Sequence, residues 1–406
     1  MLSISNPVPT LADFHTEVRA FAERAIAPKI RELDAAERFD PDILDAMREA
    51  GLLGCCIPRA LGGGGMGYRH LAVAFEELER VDTFARVILS VHLSLNSLAI
   101  YQWGTPDQQE RWLRPQARGE RLAAFALTEP ETGTDAAALS TTAERVPGGY
   151  RLTGAKAWIG LAGVADQFLL FARLADAPPG GARGVTAFLV RRETAGLSTE
   201  SITGKHGIRA GNVGRIFLEG VFVPEEDRLG EEGGGFHVAM SALDNGRFGV
   251  AAGSLGIIEA CLEACTTRCQ ERQSFGMEIG RHQLVQQMLA RMVAGRDVGR
   301  LLVEQVAELK CRGVRHTREA SLAKWLNCEA AHRAADHAVQ IFGAHGYSNE
   351  HPVERHLRNC RAAVIYEGTR EIHQVIQAEY LLGYRADRPL RRPLPPYPFP
   401  EDADAA

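Results

Sequence analysis

The segment Phe125-Ala-Leu-Thr-Glu-Pro-Glu-Thr-Gly-Thr-Asp135 lies near the point at which the sequence pattern changes from helices to strands. Over residues 11–119 the apolar side chains recur at helical spacing. Over residues 122–224, short runs rich in Val, Ile, Phe and Thr are separated by turn residues such as Pro147-Gly148-Gly149. The segment therefore stands at the start of a domain that we expect to consist of antiparallel strands.

The helical period returns after Gly233-Gly234-Gly235. Strands and helices are thus segregated along the chain, which disfavours a doubly wound nucleotide-binding fold and predicts an α+β protein that is mostly α. Four long helices, enough for a bundle, are predicted over Phe236–Arg272, Gln283–Arg312, His316–Phe342 and Thr369–Leu382.

These patterns divide the chain into three domains and a tail. Residues 1–121 are predicted to form a helical domain, residues 122–235 a sheet domain and residues 236–386 the helical bundle. Residues 387–406 are crowded with prolines and end in acidic and alanine residues. We expect this tail to be disordered.

Composition restricts the possible partners and compartments. The net charge of −5 over 406 residues provides no basic surface for nucleic acid. No apolar run approaches the roughly 20 residues that span a bilayer, and residues 1–10 lack a signal-peptide pattern. Eight cysteines are too sparse for a disulfide scaffold. We expect a cytoplasmic protein without nucleic-acid partners or membrane insertion.

Clusters of metal-binding residue types do not form a recognisable metal site. Cys261, Cys265 and Cys269 follow one another at four-residue steps, but no histidine or carboxylate completes a tetrahedral set. His332 and His337 likewise lack a partner at a usual spacing. The cysteines are therefore interpreted as small buried thiols, and no metal is predicted.

Two segments of the sheet domain suit a flat cofactor. The loop that ends at Asp135 offers hydroxyl groups and backbone N–H donors to a ring system or a phosphate. Taken alone it is only a polar turn. A second segment, Trp158-Ile159-Gly160, places an aromatic face at the end of another strand, which is what a flat cofactor requires.

A carboxylate near the C-terminus is the candidate general base. Glu367 lies between the apolar run Val364-Ile365-Tyr366 and Gly368, just before a helix that Thr369 can cap. Apolar surroundings raise the pKa of a carboxyl group toward the range in which it serves as a general base. Without the other segments, a solvated glutamate before a helix would be the favoured interpretation of this position.

Taken together, these motifs resemble the acyl-CoA dehydrogenase family over residues 14–384. The resemblance implies a helical domain, a central antiparallel β-barrel that binds the flavin and the acyl group, and a C-terminal four-helix bundle. It also implies FAD as the cofactor, an acyl-CoA thioester as the substrate and Glu367 as the catalytic base. The motifs, in the order of the family, are Leu127-Thr-Glu-Pro130 with Gly133-Thr-Asp135, Trp158-Ile159, Arg272-Gln-Ser-Phe-Gly276, Gln340-Ile-Phe-Gly343 and Tyr366-Glu-Gly-Thr369.

The resemblance assigns the cofactor-binding residues to two groups. The flavin half of FAD falls to Phe125, Leu127, Thr128, Gly133, Thr134, Trp158, Ile159 and Gly160. The adenine half, received from a neighbouring subunit, falls to Arg272, Ser274, Phe275, Gln283, Gln340 and Gly343, while Thr369 and Glu371 also touch FAD. This arrangement implies a homotetramer. Gly160 departs from the family, which usually has a threonine whose hydroxyl group bonds the flavin N5.

The substrate residues point to a branch of the family. Thr134 lies by the thioester arm, Asp244 and Arg247 match the stretch that contacts CoA, and Tyr366 and Gly368 flank the base. Arg86 and Ser90, with Tyr366, resemble the glutaryl-CoA dehydrogenase branch, where an arginine receives the distal carboxylate. The electrons would pass to an electron-transfer flavoprotein.

Several alternatives remain open at the level of the sequence. Arg86 could instead reach solvent or pair with Asp82, one turn earlier on the same helix. A dicarboxylic substrate could be oxidised with or without decarboxylation. The acyl group could arrive on an acyl-carrier protein of a specialised biosynthetic pathway. From a different class, the chain could be a non-enzymatic helical assembly protein, which would be colourless when purified.

Overall fold

The computed structural model describes residues 8–178, 180–387 and 389–405. The parts of the predicted domains and tail that fall on residues 1–7, 179, 388 and 406 lie outside the described residues. The order of the elements is helices, then a sheet, then helices, so the predicted α+β class with mostly helical structure is confirmed.

The first third of the chain is helical, as the apolar period predicts. Thr10 and Asp40 begin two of its helices with side-chain caps, and a π-helical segment interrupts the longest apolar stretch. The α-helices are α1 (Leu11–Ala25), α2 (Ala27–Ala35), α3 (Pro41–Glu49), α4 (Tyr68–Val81), α5 (Thr83–Leu89), α6 (Leu98–Trp103), α7 (Pro106–Gln108) and α8 (Arg114–Ala117), with π-helical segments Ser90–Ser97 and Gln109–Leu113.

Two helical stretches have the length and apolar composition of membrane spans, contrary to the expectation from the sequence. They are Thr83–Trp103 and Gly235–Glu271. Their most apolar windows are 94% and 78% buried inside the protein, respectively. Their composition is therefore explained by contact with the protein's own core, since buried core helices are hydrophobic all round.

The middle third forms one mixed sheet. Its strands are β1 (Ala123–Ala126), β2 (Thr142–Val146), β3 (Gly149–Gly160), β4 (Gln167–Leu174), β5 (Val185–Arg191), β6 (Leu197–Ser201), β7 (Val213–Pro224) and β8 (Arg228–Leu229). They are ordered β6-β7-β3-β2-β4-β5-β8, with β1 also paired to β4. Among the described residues this path has two ends, so the sheet is open, and the predicted closed barrel is a detail that the structure corrects.

The prediction that every strand pairs antiparallel also needs correction. Both β1 and β2 run parallel to β4, β1 pairing along Gln167–Leu170 and β2 at Arg173–Leu174. The two strands therefore share one edge of β4, and the chain between them leaves the sheet as a loop. This topology projects the Thr- and Gly-rich loop that follows β1 outward from the sheet.

The last third contains the predicted bundle helices, with most ends within a residue of the prediction. Helix α9 (Gly235–Glu271) is largely buried and packs against α4 and the following bundle helices. The hairpin β9 (Gln273–Ser274) and β10 (Met277–Glu278) follows it. The other helices are α10 (Gln283–Cys311), α11 (Thr317–Phe342), α12 (Val353–Ala363) and α13 (Arg370–Leu381), of which α12 was not predicted.

The C-terminal tail is packed against the body of the protein where the structure describes it, which contradicts the predicted disorder. Phe399 is buried edge-on against the rings of Tyr68 and Tyr101. The N–H of Tyr397 donates to the carbonyl oxygen of Cys311 (2.8 Å). The prediction from proline content overlooked the apolar and aromatic side chains of this segment. Their burial against the body of the protein offsets the entropy lost on ordering.

Candidate active site

Glu367 occupies a strained turn between α12 and α13. Its φ of +55° lies in the left-handed region, and Gly368 follows with φ +101°. Thr369 then begins α13, its hydroxyl group accepting from the N–H of Ile372 (3.3 Å). A non-glycine residue at positive φ is held by its surroundings, and such strain clusters at functional sites.

Two cations from different helices hold the backbone of this turn. Arg247 Nε donates to the carbonyl oxygen of Glu367 (3.2 Å). Lys324 Nζ donates to the carbonyl oxygen of Gly368 (2.6 Å). Because both bonds go to the main chain, they position the turn and leave the carboxylate available.

The carboxylate of Glu367 is buried and has a free oxygen. Oε2 is inaccessible to solvent and has no hydrogen-bond partner among the described residues. It packs so closely on α9 that a Cβ at Gly246 would overlap it. Burial raises the pKa of Glu367, an effect that the positive charges of Arg86 and Lys324 only partly offset. A buried carboxyl group with a raised pKa and an unused oxygen is suited to accept a proton.

Arg86 lies beside the base, in a fully buried ion pair. Its Nε is 2.7 Å from Oε2 of Glu79, and its Nη2 donates to the hydroxyl group of Tyr366. Burial opposes the charged guanidinium, but attraction to Glu79 outweighs it and the pKa of Arg86 lies above its ordinary value. The side chain does not reach solvent.

The alternative in which Arg86 pairs with Asp82 is wrong. Helix α4 ends at Val81, and Asp82 is extended (φ −163°), so the two residues do not lie on one continuous helix. Asp82 instead caps α5 by accepting from the N–H of Phe84 (3.0 Å) and pairs with Arg355 (2.9 Å).

Most of the other predicted substrate residues lie near the base, whereas Thr134 is exposed on the loop after β1. Asp244 accepts from Arg247 Nη1 (3.0 Å) and from the hydroxyl group of Thr317 (2.6 Å). Ser90 is buried, its Oγ has no partner among the described residues, and it faces Gly249 of α9. The structure thus brings Arg86, Ser90, Asp244, Arg247, Tyr366 and Gly368 together around Glu367.

The strand end at Trp158 faces the same region. A bulge between Lys156 and Ile159 interrupts the pairing of β3 with β7, and Trp158 has φ +58° with its side chain 64% exposed. A Cβ at Gly160 would lie 3.2 Å from Cγ2 of Val91, one residue beyond Ser90. The strand end therefore packs directly against the helical segment that carries the substrate residues.

The loop after β1 is anchored beside this strand end. The N–H of Ala157 donates to the carbonyl oxygen of Thr128 (3.0 Å). Farther along the loop, Thr132 Oγ1 is buried without a partner among the described residues, whereas Gly133 and Thr134 are exposed. Unused hydroxyl and N–H donors beside an exposed indole suit a flavin ring and its phosphates. Phe125, Leu127 and Ile159 are buried beneath them in the core.

The residues predicted to receive the adenine half lie at another end of the bundle. Phe275 is 93% exposed at the tip of the β9–β10 hairpin, and Ser274 Oγ contacts Nε2 of His282 (3.2 Å). Arg268 stacks on Phe342 and joins this end of α9 to the end of α11. The exposed members Arg272, Phe275, Gln283, Gln340 and Gly343 are thus grouped there, with no described contact to Glu367 within the chain.

Two further predicted FAD contacts are partly engaged. The hydroxyl group of Thr369 serves as the cap of α13, and Glu371 accepts from Nε of Arg370 (2.7 Å). Both residues lie within one turn of the base, so a cofactor contact there would extend from the same turn.

Sequence reasoning missed Lys324 and Gly246, although Lys324 left a signal. Lys324 lies four residues from Ala320 and from Cys328, on the buried face of α11. A lysine in phase with buried positions indicates a specific partner, because burial of an unpaired charge is costly. For Gly246, only the tertiary approach of the carboxylate shows why a side chain is absent.

The cysteines that were considered as metal ligands are buried, and one of the histidines contacts another protein group. All eight cysteines are free thiols, and Cys261, Cys265 and Cys269 are buried as interpreted from the sequence. His332 contacts the thiol of Cys360 (3.4 Å). One described group could hold an ion: His345, Glu350 and His351, whose ligand atoms lie within 4.8 Å of one another.

Helices, sheet and bundle in this order, with a buried carboxylate of raised pKa and an exposed strand-end indole, indicate the class of flavin-dependent oxidoreductases. Three family models match the chain: the N-terminal, middle and C-terminal domains of acyl-CoA dehydrogenase, over residues 9–120, 124–221 and 233–382. The chain therefore belongs to the acyl-CoA dehydrogenase family. FAD is the cofactor of these enzymes and of this chain, and a non-enzymatic assembly protein is excluded.

Curated relatives align over most of their length. An acyl-CoA dehydrogenase of Bacillus subtilis is 39% identical over 90% of this chain and 96% of its own. A short-chain specific acyl-CoA dehydrogenase of Clostridium acetobutylicum is 37% identical over 88% and 94%. The caffeyl-CoA reductase-Etf complex subunit CarC of Acetobacterium woodii is 37% identical over 90% and 96%.

Solved structures show the same fold. Butyryl-CoA dehydrogenase of Megasphaera elsdenii has a TM-score of 0.89 at 36% identity, covering 93% of this chain and 99% of that one. A glutaryl-CoA dehydrogenase of Mycobacterium smegmatis in complex with FADH2 has a TM-score of 0.87 at 28% identity, with 95% and 97% covered. The prolyl acyl carrier protein oxidase AnaB has a TM-score of 0.88 at 30% identity, with 91% and 98% covered.

Proposed function

We propose that this chain catalyses the FAD-dependent α,β-dehydrogenation of a short-chain acyl-CoA, with Glu367 as the base. The observation that carries the proposal is the buried Oε2 of Glu367, which has no partner among the described residues and faces the helical segment packed on the flavin strand end. Curated relatives with short-chain specificity support the acyl length.

The residues of the chain account for the proton transfer. The raised pKa of Glu367 brings it closer to that of an activated α carbon and makes it a stronger base. Arg247 and Lys324 fix the turn by its carbonyl groups, so the carboxylate is held at one position relative to the acyl chain. When bound, the flavin supplies the acceptor for the hydride that leaves the β carbon.

We assign the flavin to the loop after β1 and to the strand end of β3. The unused hydroxyl group of Thr132 and the exposed face of Trp158 support this assignment. The cofactor residues of this half remain Phe125, Leu127, Thr128, Gly133, Thr134, Trp158, Ile159 and Gly160.

The adenine half is assigned to the exposed hairpin and helix ends of a second copy, in a homotetramer. Exposed apolar side chains on the hairpin and the bundle helices support an interface there, namely Phe275, Leu284, Leu301 and Leu381. Sedimentation velocity tests the assembly. A monomer with FAD bound at full affinity would contradict it.

The position of Arg86 favours a short, uncharged acyl group. The hydroxyl group of Tyr366, next to the base, accepts a hydrogen bond from Arg86, so the guanidinium is already engaged on this side. Since Glu79 already neutralises Arg86, a second carboxylate would have to compete for the same guanidinium.

A dicarboxylic acyl-CoA is the second candidate, because one observation favours it. Ser90 Oγ is buried without a partner among the described residues, one helical turn from Arg86, and could donate to a distal carboxylate. Glutaryl-CoA dehydrogenases are among the solved relatives. Whether decarboxylation follows is part of this candidate.

Anaerobic bleaching of the flavin separates the candidates. We expect butyryl-CoA to bleach faster than glutaryl-CoA. Faster bleaching by glutaryl-CoA, with selective loss of that rate in Arg86→Met, would establish the dicarboxylic candidate instead. A protein that bleaches only with acyl groups on an acyl-carrier protein would resemble the AnaB relative, which acts on a carrier-bound prolyl group.

Replacement of the base tests the mechanism itself. Glu367→Gln keeps the shape and is expected to keep FAD, while bleaching slows by at least about 10²-fold, the usual contribution of a general base. Glu144→Gln, which changes an exposed carboxylate on β2 that is not assigned to the site, is the matched control and should bleach at nearly the original rate. Unimpaired bleaching by Glu367→Gln would assign the base to another residue.

The electron acceptor and compartment follow from the same proposal. A relative that is a subunit of an Etf complex supports an electron-transfer flavoprotein as the acceptor. Eight free thiols suit a reducing cytoplasm. The test of this partner compares two rates of reoxidation of the bleached enzyme, one with purified electron-transfer flavoprotein and one with an artificial dye as the electron acceptor.

A further inference from the structure

A buried ion pair lies where the two flavin segments meet. Lys156 is completely buried, and its Nζ is 2.8 Å from Oε1 of Glu129, which is itself buried. The same Nζ donates to the carbonyl oxygen of Leu127 (3.3 Å). The pair thus joins β3, two residues before Trp158, to the loop that leaves β1.

Glu129 also joins the two ends of that loop. Its Oε2 accepts from the N–H (2.6 Å) and hydroxyl group (2.7 Å) of Ser140, and its Oε1 accepts from the N–H of Thr141 (2.9 Å). One carboxylate therefore ties the first residue of the 129–141 loop to its last residues and to the neighbouring strand. The enclosed segment carries Thr132 and Thr134.

Burial explains why this contact must be specific. Desolvation opposes the charge on Glu129, but attraction to Lys156 and the hydrogen bonds at Ser140 and Thr141 outweigh it, so the pKa of Glu129 falls to about 2. A buried pair of this kind adds little net stability over an apolar packing of the same shape. Its directional bonds fix positions, which a non-directional apolar contact does not do.

We propose that Lys156 and Glu129 are positioning residues for the cofactor, which hold the 129–141 loop in register with the Trp158 strand end so that both segments meet FAD at once. This inference rests on the proposed flavin site. Neither residue is expected to touch the substrate or to take part in proton transfer, and their effect should appear in FAD retention before it appears in chemistry.

The test compares FAD dissociation from purified holoenzymes, followed by the rise of flavin fluorescence on dilution. Lys156→Met and Glu129→Gln are each expected to raise the dissociation constant for FAD at least tenfold. With FAD in excess, bleaching by butyryl-CoA should return to within about threefold of the original rate, since the Glu367 turn is untouched. The double variant, which removes both charges, should retain FAD better than Lys156→Met alone.

The matched control is Lys310→Met. Lys310 is equally buried and donates to Asn245 in the bundle, away from the flavin segments. It should lower thermal stability without a comparable change in FAD affinity. Equal FAD affinity in Lys156→Met, Glu129→Gln and Lys310→Met would overturn the positioning role.

The failure of the proposed function would look different. An unmodified protein that purifies colourless and takes up no FAD would contradict the flavin site itself, whereas a yellow protein whose FAD affinity ignores Lys156 and Glu129 contradicts only this inference. If Lys156→Met yields no folded protein, Glu129→Gln decides, because it preserves shape and an acceptor for Thr141.

Discussion

Removal of one partner from the buried pair between Glu79 and Arg86 should cost far more stability than removal of one partner from an exposed pair of the same geometry. Both side chains are about 1% exposed, so water screens neither charge. Glu79→Gln leaves the guanidinium buried without its counter-charge, and loss of one partner of a buried pair costs about 3–5 kcal/mol. Arg86→Met should cost a similar amount because it leaves Glu79 unpaired.

The matched control is an exposed ion pair made by Arg114, the first residue of helix α8. Nε of Arg114 is also 2.7 Å from Oε2 of Glu110, but these side chains are 27% and 60% exposed. An exposed pair of this kind contributes about 0–1 kcal/mol. The two pairs therefore share atoms and distance and differ chiefly in burial.

The assay is a double-mutant cycle on each pair, with the free energy of unfolding taken from urea titrations. In the buried cycle, Glu79→Gln/Arg86→Met should cost less than the sum of the single replacements, because the double variant leaves no isolated charge. In the exposed cycle the coupling should fall below about 1 kcal/mol. If Glu79→Gln costs no more than Glu110→Gln, the reasoning from burial is refuted.

Three other predictions concern the base, the tail and the strand end. Because Glu367 must be ionised to accept a proton, kcat/KM should rise as the pH rises through the raised pKa of Glu367. Lys324→Met removes a positive charge that stabilises the carboxylate, so it should shift this rise in the pH profile of kcat/KM to higher pH. A rise at an unchanged pH would contradict this. Phe399→Ala should lower the free energy of unfolding by about 3–5 kcal/mol in urea titrations, since the ring is buried among aromatic side chains. Gly160→Ala should lower the melting temperature, because its Cβ would lie 3.2 Å from Val91, and Val91→Ala should restore it; additive losses would exclude that contact as the cause.

The sequence predicted the helices that present a regular apolar face and missed the one that does not. Helix α10 was expected over Gln283–Arg312 and spans Gln283–Cys311. Helix α12 escaped because its buried face includes Arg355 and Asn359, which reach Asp82 at 2.9 Å and 3.0 Å. Periodicity detects burial by apolar residues, so a face buried through polar pairing leaves no such signal.

The sheet shows a different limit of prediction from the sequence. Alternation and turn residues locate strands but say little about which strands pair over long separations. The parallel pairing of β1 and β2 to one edge of β4 brings together residues more than 30 positions apart. That pairing, which projects the loop after β1, followed only from the structure.

The residues of the proposed site could be named from the sequence, but their hydrogen-bond and ion-pair partners could not. Glu367 stood out through its motif, yet the groups that set its properties, Arg247 and Lys324, come from two other helices. A pair between Arg86 and Asp82 was one alternative left open by the sequence, because helical spacing assumes a continuous helix. The break of the helix at Asp82 removes that alternative. Charges are recognisable in a sequence, whereas their pairing depends on the folded path of the chain.

Buried cations occur at both halves of the proposed site, and they share one arrangement. Lys324 donates to the carbonyl oxygen of Gly368 at the base, and Lys156 donates to that of Leu127 at the cofactor loop. Each cation thereby fixes a segment of irregular backbone, which helix or sheet hydrogen bonds do not hold. An apolar side chain could fill the same volume but could not fix the direction of a carbonyl group. Proton removal on one side of the acyl chain and cofactor placement on the other both require precise positioning. In the proposed site, this positioning depends on charged side chains whose partners cannot be identified from the sequence alone.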